Sequence, residues 1–144
     1  MTVKLPPSAS VARPIGDTKL YAPAADRNKD ALCDLLLVHA PREGKALEIA
    51  SGTGQHVIAF AHALPDLSWC PTDPDPARRA SIDAYVAEAS MANIAPAQAL
   101  NATAEGWHET VPSQDLIFLA NLLHLISAPA AECLISQAAC ALVP

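Results

Sequence analysis

Several residues have the types and spacing needed to hold a nucleoside with an anionic end. The densest group is Leu47-Glu48-Ile49-Ala50-Ser51-Gly52-Thr53-Gly54-Gln55-His56. Gly52 and Gly54 remove side chains where the backbone must turn tightly and a ligand must come close. A helix opening near Gln55 would aim unpaired amides at that space, which suits a carboxylate or a phosphate. Position 57 is Val57, where a dinucleotide fingerprint needs a third glycine, and no Gly-Lys-Ser/Thr ending makes a phosphate-binding loop. Asp73 follows Gly54 by about 20 positions, the spacing at which Rossmann-type sites place an acid for ribose hydroxyls. One carboxylate can accept from both hydroxyls of a ribose. Asp75 precedes Pro76 and reads first as a helix cap.

Two further groups lie downstream. Asn101 could accept from an adenine amino group through its amide oxygen. Trp107 is a candidate cover for the adenine face, against the simpler reading of a packed indole. Asn121 and His124 are polar residues inside an apolar run, where they cost desolvation unless partnered. Asn121 is expected beside the reactive end of the ligand. His124 is either a general base near neutral pH or a hydrogen-bonded residue at a helix start.

The elements that must position these groups alternate. Residues 1–23 carry Pro6, Pro7, Pro14 and Pro23 and read as an extended arm. Leu32, Leu35, Leu36 and His39 have helical spacing, so a helix should run from Asp26 to about Val38. Lys45 to Ala50 reads as a buried strand and Gln55 to Leu64 as a helix. Leu67 to Thr72 is the next strand, followed by a helix from Pro76 to about Asn93. Gln98 to Ala102 is a third strand and Leu116 to Ala120 a fourth. Ser127 caps a last helix carrying Leu134, Ala138 and Ala141 on one stripe. Strands alternating with helices imply a parallel sheet, because parallel neighbours need crossovers. In such sheets a ligand sits beyond the carboxyl ends of the strands, where the order reverses. Residues 24–144 therefore read as one α/β domain behind the arm.

The chain of 144 residues is long enough for one domain with a real core. Its formal net charge of −6 repels a phosphate backbone, so nucleic acid is not the expected partner. The only basic clusters are short, such as Arg78-Arg79. The four cysteines form no Cys-x-x-Cys pair and no zinc spacing, so a reduced, cytoplasmic protein without a metal is expected. The N-terminus lacks the apolar core of a signal peptide. The longest apolar run, Leu116 to Ile126, is too short to span a bilayer.

Taken together, several segments resemble a methyltransferase-like family of bacteria and animals, within the class I S-adenosylmethionine-dependent superfamily. Pro23-Ala24-Ala25-Asp26-Arg27-Asn28-Lys29 is similar to its Pro-Ala-Ala-Glu-Arg-Asn-Lys stretch. Leu47 to His56 looks like its glycine motif, with Ala50 where the wider superfamily has a first glycine. Trp69 and Pro71-Thr72-Asp73-Pro74-Asp75 look like its second-strand ending, and Asn121-Leu122-Leu123-His124 resembles its Asn-x-x-His. The likeness covers roughly residues 20–144.

The resemblance implies a Rossmann-like three-layer sandwich with strand order 3-2-1-4 in the part present and the C-terminal strands missing. It implies S-adenosylmethionine as cofactor, bound by Glu48, Ala50, Ser51, Gly52, Thr53, Gly54, Asp73, Asn101 and Asn121. The cationic sulfonium suits an acidic protein. His124 and Asn121 would serve the chemistry, although methyl transfer needs chiefly alignment of an acceptor with the sulfonium. Arg27 and Asn28 either meet an anionic group of cofactor or acceptor, or tie the arm to the domain. The acceptor, a small molecule or a protein, is not named by the resemblance.

Two rivals stand beside this reading. A non-catalytic cofactor-binding or interaction module is favoured by the apparent truncation, which would leave the fourth strand as an exposed edge open to self-association. A nicotinamide-dependent oxidoreductase is disfavoured by Val57.

Overall fold

A computed structural model describes residues 11–144 of the chain; the first part of the expected arm, residues 1–10, lies outside the described residues. Strands β1 (Arg13–Pro14) and β2 (Leu20–Tyr21) form a small antiparallel hairpin. It is fastened to the domain by a bond from the Leu20 amide to Ser81 Oγ and one from the Tyr85 hydroxyl to the Leu20 carbonyl, both 2.8 Å. Helix α1 (Pro23–His39) starts earlier than its apolar spacing predicts. Pro23 is a first-turn proline, which costs no hydrogen bond there. Leu36 is buried and Leu32 packs against the core, whereas Leu35, expected on the same stripe, is exposed.

Strand β3 (Gly44–Ile49), helix α2 (Gln55–Ala63), strand β4 (Leu67–Pro71), helix α3 (Pro76–Ala89), strand β5 (Leu116–Leu119) and helix α4 (Ala128–Ala141) complete the domain. Asp75 caps α3 by accepting from the Ala77 amide, and Ser127 caps α4 through Ala130. Helix α3 stops at Ser90, in the left-handed region at φ 51°, short of the expected Asn93. The Asn93 amide instead donates to the carbonyls of Ala61 and Leu67 and pins the following loop to α2 and β4.

The sheet is parallel in the order β4-β3-β5. Alternate residues of β3 enter opposite cores, as the pleat requires. Ala46 lies with Leu36, Phe60, Trp69 and Ile82, so α1, α2 and α3 cover one face. Leu47 and Ile49 lie with Leu100, Trp107 and Leu134, so α4 covers the other. This is the expected three-layer α/β arrangement.

The third strand is a correction. Residues 98–102 make no ladder, and among the described residues β4 has on that side only the parallel bridges Trp69↔Ile94 and Thr72↔Gln98. Pro71 has no amide to give to the Ala95 carbonyl, and the Ala97 amide goes to Asp83 Oδ1 instead of the sheet. Paired bonds survive on either side, Trp69 with Asn93 and Ala95, and Gln98 with Pro71 and Asp73. The chain thus occupies the third-strand position without forming a strand.

On the far side of β5 the picture also differs from a bare edge. The Gln114 amide donates to the Ala141 carbonyl and the Val143 amide to the Gln114 carbonyl, so a parallel pairing begins just before β5. Among the described residues, Leu116–Leu119 has a ladder only with β3. No helix is long and apolar enough to cross a membrane among the described residues.

Candidate functional site

The site forms where β3 and β4 end side by side. Past the last ladder pair, the Ser51 amide donates to the Thr72 carbonyl at 2.8 Å, and the Thr72 amide reaches the Glu48 carbonyl and Ser51 Oγ, both at 3.0 Å. The Thr72 hydroxyl adds a bond to the Glu48 carbonyl at 2.7 Å. These bonds hold the two strand ends together while the backbone turns away from both.

The turn runs through the left-handed region three times, at Ala50 (φ 54°), Gly52 (φ 64°) and Gly54 (φ 103°). The two glycines are required for different reasons. A Cβ on Gly54 would lie 2.8 Å from the Cα of Ile82, so that residue lets α2 and α3 approach. A Cβ on Gly52 would meet only Arg78 Nη1 at 3.6 Å, so its side is open and only its φ calls for glycine. Asn121, at the end of β5, is also left-handed at φ 57°, a conformation that asparagine tolerates well.

The Gly52 amide donates to Asp73 Oδ2 at 3.1 Å, and the Asp75 amide to Asp73 Oδ1 at 3.0 Å. Each carboxylate oxygen keeps a second lone pair. Burial pushes the Asp73 carboxyl up from its ordinary value, while the amides of Asp75 and Gly52 and the charge of Arg78 oppose this. Arg79 ties down the same turn by donating to the carbonyls of Asp73 and Pro74, both at 2.9 Å. Glu48 lies under the turn, fully buried. Desolvation pushes its carboxyl up to about 8, a bond with Ser51 opposes the shift and the charge of Asp73 adds to it. Its Oε1 has no hydrogen-bond partner among the described residues.

These strand ends open into a cleft of about 800 Å³. Its wall includes Arg27, Asn28, Ala50, Ser51, Gly52, Thr53, Asp73, Asn121 and His124, nine of the residues singled out from the sequence. Glu48 and Gly54 support the turn from behind without forming the wall. Asn101 lies elsewhere: it is exposed, and its Oδ1 accepts from the amide and hydroxyl of Thr103 in a local turn. Trp107 follows the simpler of its two readings, a packed indole and not an adenine cover. It is buried in the core on the α4 side, with its indole N–H donated to the Ala102 carbonyl at 2.9 Å.

Four contributors have no site role in the sequence reading. His56 and Arg78 join the cleft wall. Gln55 and Ser81 join the turn to the segment before α1. Gln55 Oε1 accepts from the Ala22 amide and the Thr53 hydroxyl, both at 2.8 Å, and the Ser81 hydroxyl donates to the Thr53 carbonyl at 2.7 Å. The one signal for the pair Gln55-His56 is its place in the first turn after the glycines.

Residues 19–144 match the family model described as "Protein of unknown function (DUF938)". The chain belongs to the DUF938 family. The DUF938 chain is also similar in structure to the S-adenosylmethionine-dependent methyltransferase SibL, at 21% identity over 83% of this chain and 35% of SibL, with a TM-score of 0.65. PKMT2 from Rickettsia typhi, solved in complex with AdoHcy, matches at 17% identity over 81% of this chain and 22% of its own, with a TM-score of 0.62. Coclaurine N-methyltransferase, bound to N-methylheliamine and SAH, matches at 14% identity over 65% of this chain and 27% of its own, with a TM-score of 0.55. The DUF938 chain thus spans about a third or less of these structures' length. At such identities the likeness is one of fold: the DUF938 chain has the Rossmann-like fold seen in these methyltransferases.

Proposed function

We propose that this DUF938 chain binds S-adenosylmethionine in the cleft and serves methyl transfer to a small-molecule or protein acceptor. The carrying observation is the bond between the Gly52 amide and the Asp73 carboxylate at the wall of an open cleft. It brings a bare backbone turn and a sugar-binding acid within one nucleoside's reach. The AdoHcy and SAH in the PKMT2 and coclaurine N-methyltransferase structures support the choice of nucleoside.

In this reading Asp73 accepts from the two ribose hydroxyls through its remaining lone pairs. Ser51, Gly52 and Thr53 supply backbone along the ligand, and the amides opening α2 face its carboxylate. Arg27 adds a positive charge from the cleft wall. Bound S-adenosylmethionine supplies an activated methyl group. Asn121 stands on the β5 side of the cleft to orient the reacting end, and His124 takes a proton from an acceptor that must lose one. Asn101 has no cleft contact that would give it the adenine.

Calorimetric titration with S-adenosylmethionine tests binding, and transfer of labelled methyl into candidate acceptors tests turnover. Binding without transfer to any acceptor favours a cofactor-binding module. NADH binding in place of S-adenosylmethionine would overturn the reading. We further propose that Leu116–Leu119 of β5 pairs with a second copy through its open edge. Sedimentation that shows only monomer at high concentration contradicts that pairing.

A further inference from the structure

His56 sits in the first turn of α2, directly after the glycine turn, and forms part of the cleft wall. Its Nε2 lies 2.7 Å from Asn28 Oδ1 on α1. An amide oxygen only accepts, so Nε2 carries the proton of a neutral ring and Nδ1 carries the lone pair. The ring also stacks on Phe60, with centroids 5.4 Å apart and planes 18° apart. The Asn28 contact favours the Nε2–H tautomer, and the Phe60 stack orients the ring. Burial holds the ring below its ordinary pKa, against the pull of the Ala25 carbonyl.

An amino-acid end brings an ammonium beside its carboxylate. In the cofactor reading above, Arg27 and the first-turn amides of α2 beyond Gln55, whose own amide is given to Thr53 Oγ1, meet the carboxylate. In that reading the acids of the cleft wall have other work, since the remaining lone pairs of Asp73 take the ribose and Asp75 opens α3. Asp73 accepts from the Gly52 and Asp75 amides, and Asp75 caps α3. His56 is the neutral acceptor beside the α2 terminus.

Resting on the cofactor reading above, we propose that His56 Nδ1 accepts a hydrogen bond from the ammonium of the bound nucleoside's amino-acid end. Asn28 then acts through His56, as a positioning residue that keeps the proton on Nε2.

Calorimetry with S-adenosylhomocysteine, its deamino analogue and 5′-methylthioadenosine tests this. Wild-type protein should prefer S-adenosylhomocysteine to the deamino analogue by about tenfold to a hundredfold, the loss expected for one charge-assisted bond. His56→Ala should erase that preference and leave the other two ligands unchanged. His56→Asn, whose Oδ1 can stand in for Nδ1, should keep most of it. Equal binding of S-adenosylhomocysteine and the deamino analogue by wild-type protein overturns the inference without any variant. So does a His56→Ala loss shared by all three ligands in a variant that melts like wild type. If wild-type protein binds none of the three, the cofactor reading itself is overturned, and this inference with it.

Discussion

The Gly52 amide and Asp73 Oδ2, 3.1 Å apart, join the turn after β3 to the acid after β4 in a single hydrogen bond. The bond orients the acid and ties the loop to the end of β4. Asp73→Ala should weaken S-adenosylhomocysteine binding by about a hundredfold or more, since two hydroxyl bonds to a charged acceptor are lost. Folding stability should fall by only about 1–2 kcal/mol. Calorimetry and urea melts read the two effects separately, and the binding loss should far exceed the stability loss.

The two glycines of the turn should respond differently to alanine. Gly54→Ala places a methyl 2.8 Å from the Ile82 backbone at φ 103°, and should cost about 3 kcal/mol or more. Gly52→Ala meets open space and should cost about 1–2 kcal/mol from its φ alone. Chemical denaturation of both variants checks the order, and similar losses would contradict it.

Ala50 offers the opposite change. It holds φ 54° with a Cβ present, so glycine should relieve strain there. Relief of about 1–2 kcal/mol, less the greater freedom of glycine in the unfolded chain, leaves Ala50→Gly more stable by about 0.5–1 kcal/mol. The midpoint of a urea melt should rise.

Glu48 makes a pH prediction. Its folded-state carboxyl is raised to about 8 from 4.5, so between those values the folded protein holds a proton that the unfolded chain has lost. Stability from this group is full below about pH 4.5 and declines as pH rises to about 8. Asp73, also raised, acts in the same direction. Glu48→Gln should flatten that decline and stabilise the protein at pH 8 by on the order of a few kcal/mol. Melts between pH 5 and 8 measure the slope, and a wild-type slope equal to that of the variant would refute the assignment.

The strand, glycine turn and helix, together with Asp73, are legible in the sequence because each has a local signature. Those are an apolar run, residues able to take positive φ, and an acid at a fixed distance. The third strand is not, because its apolar residues carry no sign that Pro71 will leave the Ala95 carbonyl without a donor or that Asp83 on α3 will take the Ala97 amide. The start of α1 is hidden by reading Pro23 as part of the arm when it occupies the first helical position. Asn101 and Trp107 have the right residue types for an adenine, yet a turn and the α4-side core claim them. Whether such groups face a cleft is decided by packing between distant segments. His56 is missed for the same reason, since its partner Asn28 lies on another helix.

A crystal structure with S-adenosylhomocysteine tests the central claim most directly. The account predicts the ribose hydroxyls within hydrogen-bond distance of the Asp73 carboxylate, with the amino-acid end running past Gly52 toward the start of α2. A nucleoside bound away from Asp73, or a cleft that stays empty at saturating ligand, would contradict it.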